Sequence, residues 1–257
     1  MKVVLLGKHK RSAVGALEHL VERGCDVRAV VAPPEPGGAA PEQRLDEAAR
    51  RHGIRLATDG ELYAEAEPID LVLSFLFWKR IRAPLIELGS LGCLNFHPAP
   101  LPDMRGIGGY NVAVLEGWRE WGVSAHFVDE RFDTGDLVRV ERFAIDPDAE
   151  TAFSLDLRSQ ERLLEVFRWT IDRALAGEPL PREPQGEGRY VSREEFEALR
   201  RVSPDDPPEL TERRVRAFWY PPYDGATIDL GGRTLTLVDR RLLAETAATY
   251  RDAGLLP

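Results

Sequence analysis

Val3-Val4-Leu5-Leu6, stopped at Gly7, is the first of four short apolar runs that decide the fold. Val27 to Val31, Leu71 to Phe77 and Cys93 to Phe96 are the others. Each has the length of a single strand, far below the ~18 consecutive apolar residues of a membrane span. Between them the pattern turns helical. Ser12 to Glu22 reads as a helix closed by Gly24, and Glu42 to His52 as an amphipathic helix with Gly53 just past its end, where C-cap glycines sit. Strands apolar on both faces, alternating with helices, predict an α/β fold: a Rossmann-like, mostly parallel sheet with helices on both faces.

Further along, the alternation changes. Val123-Ser124-Ala125-His126-Phe127-Val128 and Leu137-Val138-Arg139-Val140-Glu141-Arg142-Phe143 are strand-like runs joined by an acidic loop, an antiparallel addition to the sheet. A long helix follows over about Ala152 to Ala176. Pro179 to Gly188 is rich in Pro and Gly and marks a boundary, giving a main domain over 1–182 and a small C-terminal α+β subdomain over 183–257. That tail carries helices near Arg193 to Arg201 and Leu210 to Ala217, then strands Ala226–Leu230 and Thr234–Val238 joined at Gly231-Gly232. About 70 residues is thin for an independent core.

Composition narrows the function. With 34 Lys+Arg against 43 Asp+Glu the net charge is −9, which disfavours a broad polyanion-gripping surface. Two cysteines, Cys25 and Cys93, exclude a disulfide scaffold and supply no zinc cage. With no signal-like segment, the expectation is a cytoplasmic protein without a membrane or nucleic-acid partner.

Chemistry concentrates in Leu94-Asn95-Phe96-His97-Pro98. On a strand Asn95 and His97 share one face and Leu94 and Phe96 the other. An Asn and a His in a buried strand cost stability unless hydrogen-bonded, and the C-terminal strand end is where open α/β sheets bind ligands. Asp133-Thr134-Gly135 is a weaker signal. It matches an aspartic peptidase triplet, but that site needs two copies and the chain has one, so alone it reads as a turn. Gly7-Lys8-His9-Lys10-Arg11-Ser12 lacks the G-x-G-x-x-G spacing of a dinucleotide site.

Together, Asn95-Phe96-His97-Pro98-Ala99-Pro100-Leu101-Pro102-Asp103-Met104-Arg105-Gly106, then Gly122-Val123-Ser124-Ala125-His126 and Asp133-Thr134-Gly135, resemble the formyltransferase family that uses 10-formyltetrahydrofolate. Leu73-Ser74-Phe75-Leu76-Phe77 is similar to the strand flanking that family's folate pocket. Glu150 to Leu155 resembles the start of its long helix. Pro184-Gln185-Gly186-Glu187-Gly188-Arg189-Tyr190 and Val215 to Ala226 resemble the linker and C-terminal unit of its tRNA and amino-sugar enzymes. One departure is Ala99, where many members carry Ser.

The resemblance implies catalytic roles for Asn95, His97 and Asp133. An amide N–H from Asn95 and an imidazolium N–H from His97 would stabilise the oxyanion formed when an amine attacks a formyl carbonyl, with Asp133 orienting or charging the histidine. It implies a donor pocket walled by Phe75, Phe77 and Trp78 on one side and Val128, Asp129 and Arg131 on the other, largely through backbone groups. Arg105, Gly106 and Tyr110 would border the acceptor. No metal is called for. The acceptor expected is the primary amine of a nucleotide-linked amino sugar, in an enzyme compatible with a homodimer. Another small amine, methionyl-tRNA, or water (formyltetrahydrofolate hydrolysis) are the alternatives. The aromatic run Phe218-Trp219-Tyr220-Pro221-Pro222-Tyr223 offers either packing surfaces or stacking faces for a base.

Overall fold

The structure is a computed structural model that describes residues 1–35, 38–64 and 68–252. The chain runs through β1 (Lys2–Gly7), α1 (Arg11–Glu22), β2 (Asp26–Val31), a short 3₁₀ turn (Pro41–Gln43), α2 (Leu45–Arg51), α3 (Asp59–Tyr63), β3 (Ile69–Phe75) and β4 (Gly89–His97). Then come β5 (Met104–Gly106), α4 (Gly109–Glu116), β6 (Glu120–Phe127), β7 (Leu137–Ala144) and α5 (Ala152–Leu175). The remainder holds β8 (Arg189–Val191), α6 (Arg193–Leu199), β9 (Arg201–Val202), α7 (Pro208–Ala217), β10 (Ala226–Leu230), β11 (Arg233–Leu237) and α8 (Arg240–Asp252). It is a mixed α/β architecture around a mostly parallel sheet.

That sheet has the order β2-β1-β3-β4-β6-β7. The first four strands are parallel and β6 runs antiparallel to β4. Alternate residues of each parallel strand feed two cores. Val3, Leu5, Leu71, Leu73, Phe75, Leu94 and Phe96 meet α1 and the later part of α5 on one face. Val4, Leu6, Val72 and Cys93 meet Leu62, Ile81 and Leu85 on the other. Burial on both faces is the reason these strands read as unbroken apolar runs.

The chain clusters into two compact units. One comprises 1–105, 122–143 and 158–189, the other 106–121, 144–157 and 190–257. Within the second, β9, β10 and β11 form a three-stranded sheet, and the Asn111 amide of α4 donates to the Ala217 carbonyl at the end of α7.

Two element boundaries differ from expectation, and two helices were not expected. β3 stops at Phe75 instead of Phe77, because Leu76 takes a positive φ of 56° that no strand can continue. The helix expected over 42–52 is broken at Arg44, whose backbone is extended. Its guanidinium turns onto Asp46, two residues ahead, a contact that a helical backbone does not offer. Helix α4 went unread because it has no apolar stripe and lies between Gly108 and Gly117, both left-handed. Helix α8 was likewise not expected.

Candidate active site

Strand pairing assembles the polar cluster. Asn95 lies beside Ser74 on β3 and opposite His126 on β6, and His97 lies opposite Ser124. The Ser74 hydroxyl donates to Asn95 Oδ1 at 2.7 Å, so the amide nitrogen must face the other way. There Asn95 Nδ2 reaches His126 Nε2 at 3.0 Å. His126 Nδ1 contacts its neighbour's carbonyl, Phe127 O, at 2.7 Å. A carbonyl only accepts, so the proton sits on Nδ1 and Nε2 accepts from Asn95. His126 and Ser74 therefore fix the aim of Asn95.

Asp133 closes the cluster. Its Oδ1 is 3.7 Å from His97 Nδ1, 3.6 Å from His126 Nε2 and 3.5 Å from Asn95 Nδ2. It sits in a left-handed backbone conformation (φ 54°), two residues before a glycine with no room for a side chain. A Cβ on Gly135 would stand 2.0 Å from the Phe127 carbonyl. The Asp-Thr-Gly order thus bends the loop tightly back over β6 and brings the carboxylate to the strand end.

The His97 side chain is only 11% accessible. Nε2 is buried and makes no well-formed hydrogen bond. Burial is the main influence on the ring and pulls its pKa below 6.5; Asp133 and the Met104 carbonyl oppose this, while His126 adds to it. Burial thus disfavours a charged ring at rest, and Asp133 is the carboxylate placed to offset that cost when the ring takes up a proton. After His97 the chain is pinned by Ser124, whose hydroxyl accepts from the Leu101 N–H and donates to the Ala99 carbonyl. Ala99, where a hydroxyl was expected to be lost, is thus held by its backbone.

The remaining expected residues are distributed as follows. Phe75 is fully buried, its ring turned into the core against Phe96 and Phe167. Phe77 and Trp78 lie in the turn after β3 with ring centroids 4.5 Å apart. Val128 donates its N–H to the Cys93 carbonyl. Asp129 accepts from the Arg131 N–H and the Thr134 hydroxyl, which stiffens the loop that leads to Asp133. Arg105 donates to Gln185 Oε1 and the Gly186 carbonyl, both at 2.9 Å. Gly106 and Tyr110 belong to the other compact unit, where the Tyr110 ring packs against Trp121. The aromatic run is partly committed to packing: the Tyr220 hydroxyl donates to the Asp156 carboxylate, and Phe153 meets the Tyr220 ring edge-on. Burial and that carboxylate both push the Tyr220 phenol upward.

Beside Trp78 a separate cavity of about 490 Å³ is lined by Asp59, Tyr63, Lys79, Arg80, Arg82 and Pro84. Ser74, Ser124 and Gln185 fall inside motifs read from the sequence, which gave them no role of their own. The first two carried a signal, as lone hydroxyls inside apolar strands. Among the described residues no helix is long and apolar enough to cross a membrane.

Comparison with known proteins agrees with this geometry. The formyl transferase family model matches residues 38–168, about half of the chain. Methionyl-tRNA formyltransferase of Anaeromyxobacter dehalogenans is 31% identical over 99% of this chain and 84% of its own. GDP-perosamine N-formyltransferase of Brucella melitensis is 30% identical over 67% of this chain and 65% of its own. In fold, the chain is similar to the N-formyltransferase from Helicobacter canadensis solved with folinic acid and dTDP-3-aminofucose, with a TM-score of 0.74 at 20% identity over 90% of this chain and 85% of that one. The chain that places Asn95, His97 and Asp133 together at the end of a parallel strand belongs to the formyl transferase family.

Proposed function

We propose that this protein transfers the formyl group of 10-formyltetrahydrofolate to the primary amine of a nucleotide-linked amino sugar, using Asn95, His97 and Asp133. The observation that carries the reading is the convergence of Asn95, His97 and Asp133: His97 Nδ1 is 3.7 Å and Asn95 Nδ2 3.5 Å from Asp133 Oδ1, and His97 Nε2 makes no well-formed hydrogen bond. With the proton on Nδ1, facing the carboxylate, Nε2 presents a lone pair to the incoming amine. As the amine nitrogen bonds to the formyl carbon, the carbonyl oxygen becomes an oxyanion and the nitrogen sheds a proton to Nε2. His97 is then an imidazolium, stabilised by Asp133, and with the Asn95 amide it faces the oxyanion. Collapse breaks the bond from the formyl carbon to the donor nitrogen, which takes the proton back from His97 Nε2, leaving the N-formylated acceptor, tetrahydrofolate and a neutral His97.

Donor binding draws on the turn after β3 and the Val128–Arg131 backbone. The Phe77–Trp78 pair offers aromatic faces to a pterin, and the cationic cavity next to it suits the donor's carboxylates. Arg105, Gly106 and Tyr110 are assigned to the acceptor. The net charge of −9 favours a sugar nucleotide, with no nucleic acid bound. Free Cys25 and Cys93 suit a reducing cytoplasm. Methionyl-tRNA is the second reading, favoured by the full-length similarity to the tRNA enzymes. The two are separated by following tetrahydrofolate release by absorbance against a panel of nucleotide-linked amino sugars and charged initiator tRNA. Turnover with a sugar and none with tRNA is expected. The reverse selects the tRNA reading, and no turnover with any amine overturns formyl transfer.

A further inference from the structure

The segment after the boundary read at Pro179 to Gly188 is more than a connector. Glu183 and Leu137 exchange both backbone hydrogen bonds, at 2.8 and 3.0 Å, just past the Asp133 loop. The Gln185 amide nitrogen donates to the Gly135 carbonyl at 2.6 Å, two residues from Asp133. Its oxygen accepts from Arg105 at 2.9 Å, which fixes the amide orientation, and Arg105 also holds the Gly186 carbonyl. Gly188 then lies so close to the loop after His97 that a Cβ there would be 1.7 Å from the Pro102 carbonyl. Residues 183–188 thus form a strap fastened to both loops that carry the catalytic groups. All of these residues belong to one compact unit.

The distances say why a strap is needed. Asp133 meets Asn95, His97 and His126 at 3.5 Å or more, longer than well-formed hydrogen bonds. The backbone course of residues 133–135, packed against Phe127 and held by Gln185, sets the point from which the carboxylate reaches the imidazole. Gln185 is the side chain that ties this backbone to the strap.

We infer that Gln185 is a positioning residue: by holding the Gly135 carbonyl, with Arg105 as its anchor, it sets the separation of Asp133 from His97. The inference rests on the formyl-transfer reading for its kinetic arm only. The groups that face His97 are Asp133, His126 and the Met104 carbonyl. Moving Asp133 away removes the one carboxylate that favours the protonated ring.

The test uses the full chain with two substitutions. Gln185→Met removes both hydrogen bonds at nearly constant volume. Gln185→Glu keeps an acceptor for Arg105 but cannot donate to Gly135. Both variants should lower kcat by roughly 10- to 100-fold, the order expected for misplacement of about an ångström. The donor KM should stay within about twofold of wild type, as should every parameter of the strap control Glu187→Gln. In Gln185→Met the His97 pKa, followed by NMR of the labelled ring, should move down. Wild-type kcat in Gln185→Glu, loss of kcat only in proportion to lost folded protein, or an unmoved His97 pKa would each overturn the inference. If wild type itself forms no tetrahydrofolate, the formyl-transfer reading fails separately, and the His97 titration alone decides on Gln185.

Discussion

Two histidine–aspartate pairs stand at strand ends of the same sheet with nearly equal separations. His97 Nδ1 is 3.7 Å from Asp133, and His9 Nδ1, just past β1, is 3.8 Å from Asp46. Their surroundings differ entirely. His9 has both nitrogens occupied: Nε2 donates to the Pro33 carbonyl and Nδ1 accepts from the Leu45 N–H. Asp46 is gripped by Arg44 through two bonds of 2.7 and 2.6 Å and by Arg50 at 2.7 Å. In the other pair Asp133 stands 3.5 to 3.7 Å from Asn95, His126 and His97, and the buried Nε2 of His97 makes no well-formed hydrogen bond. Distance and burial do not separate a structural pair from a chemical one; unspent hydrogen-bonding capacity does.

The largest effect should come from breaking the open pair. His97→Asn or Asp133→Asn should lower kcat by about three orders of magnitude, since each removes a group acting on charge that exists mainly in the transition state. Donor binding, measured by fluorescence titration with a folate, should stay near wild type. His9→Asn should keep near-normal turnover. Equal loss in His9→Asn and His97→Asn would erase the distinction, and near-normal turnover in either of the first two variants would return the cluster to a structural role.

The closed pair should fail in the opposite way. Asp46→Ala leaves two guanidinium groups without their shared carboxylate at the first turn of α2, costing about 2 kcal/mol. Arg44 and its hydrogen bonds dominate the stabilisation of the ionised Asp46 carboxyl, whose pKa is held far below the usual carboxylate range. Urea unfolding should show the loss, while kcat per folded molecule stays within about twofold of wild type. A kcat loss comparable to that of Asp133→Asn would make Asp46 part of the chemistry.

This contrast also explains what was readable in advance. The central sheet could be read because β1, β3 and β4 are buried on both faces, so Val3 to Leu6 and Leu71 to Phe75 admit almost nothing but apolar residues. Asn95 and His97 stood out against that background for the same reason. The grip of Asp46 was invisible, since Arg44 reaches it only by leaving the helix that periodicity predicts. Gln185 was quoted only as part of a linker, because its partners Gly135 and Arg105 lie 50 and 80 positions away and contribute a carbonyl and a guanidinium that no local pattern pairs with it. Phe75 was assigned to the donor wall from its place at a strand end. Sequence position alone does not show that its ring turns inward onto Phe96 and Phe167.

The smallest predicted effect concerns pH and tests whether both rings are held neutral for different reasons. Burial lowers the pKa of His9 and of His97. For His9 the neutral ring is also required by geometry, because protonating Nδ1 would destroy the acceptor of the Leu45 N–H. For a histidine with a depressed folded pKa, the unfolded chain binds more protons below about 6.5. The stability each ring contributes is then fully present above that pH and is lost as pH falls from it toward the folded pKa. Carboxylates with depressed pKa, such as Asp46, Glu61 and Asp206, lose their contributions only lower, below their unfolded values. Urea midpoints should therefore decline gently between about pH 6.5 and 5, before the steeper acid loss. His9→Asn and His97→Asn should each flatten part of that upper slope. Adding Asp133→Asn to wild type should steepen it, since the carboxylate that supports a protonated His97 is gone. A flat wild-type profile across this window, or a slope untouched by either histidine substitution, would show that the rings are not held neutral, and the open nitrogen of His97 would lose its standing as the proton acceptor.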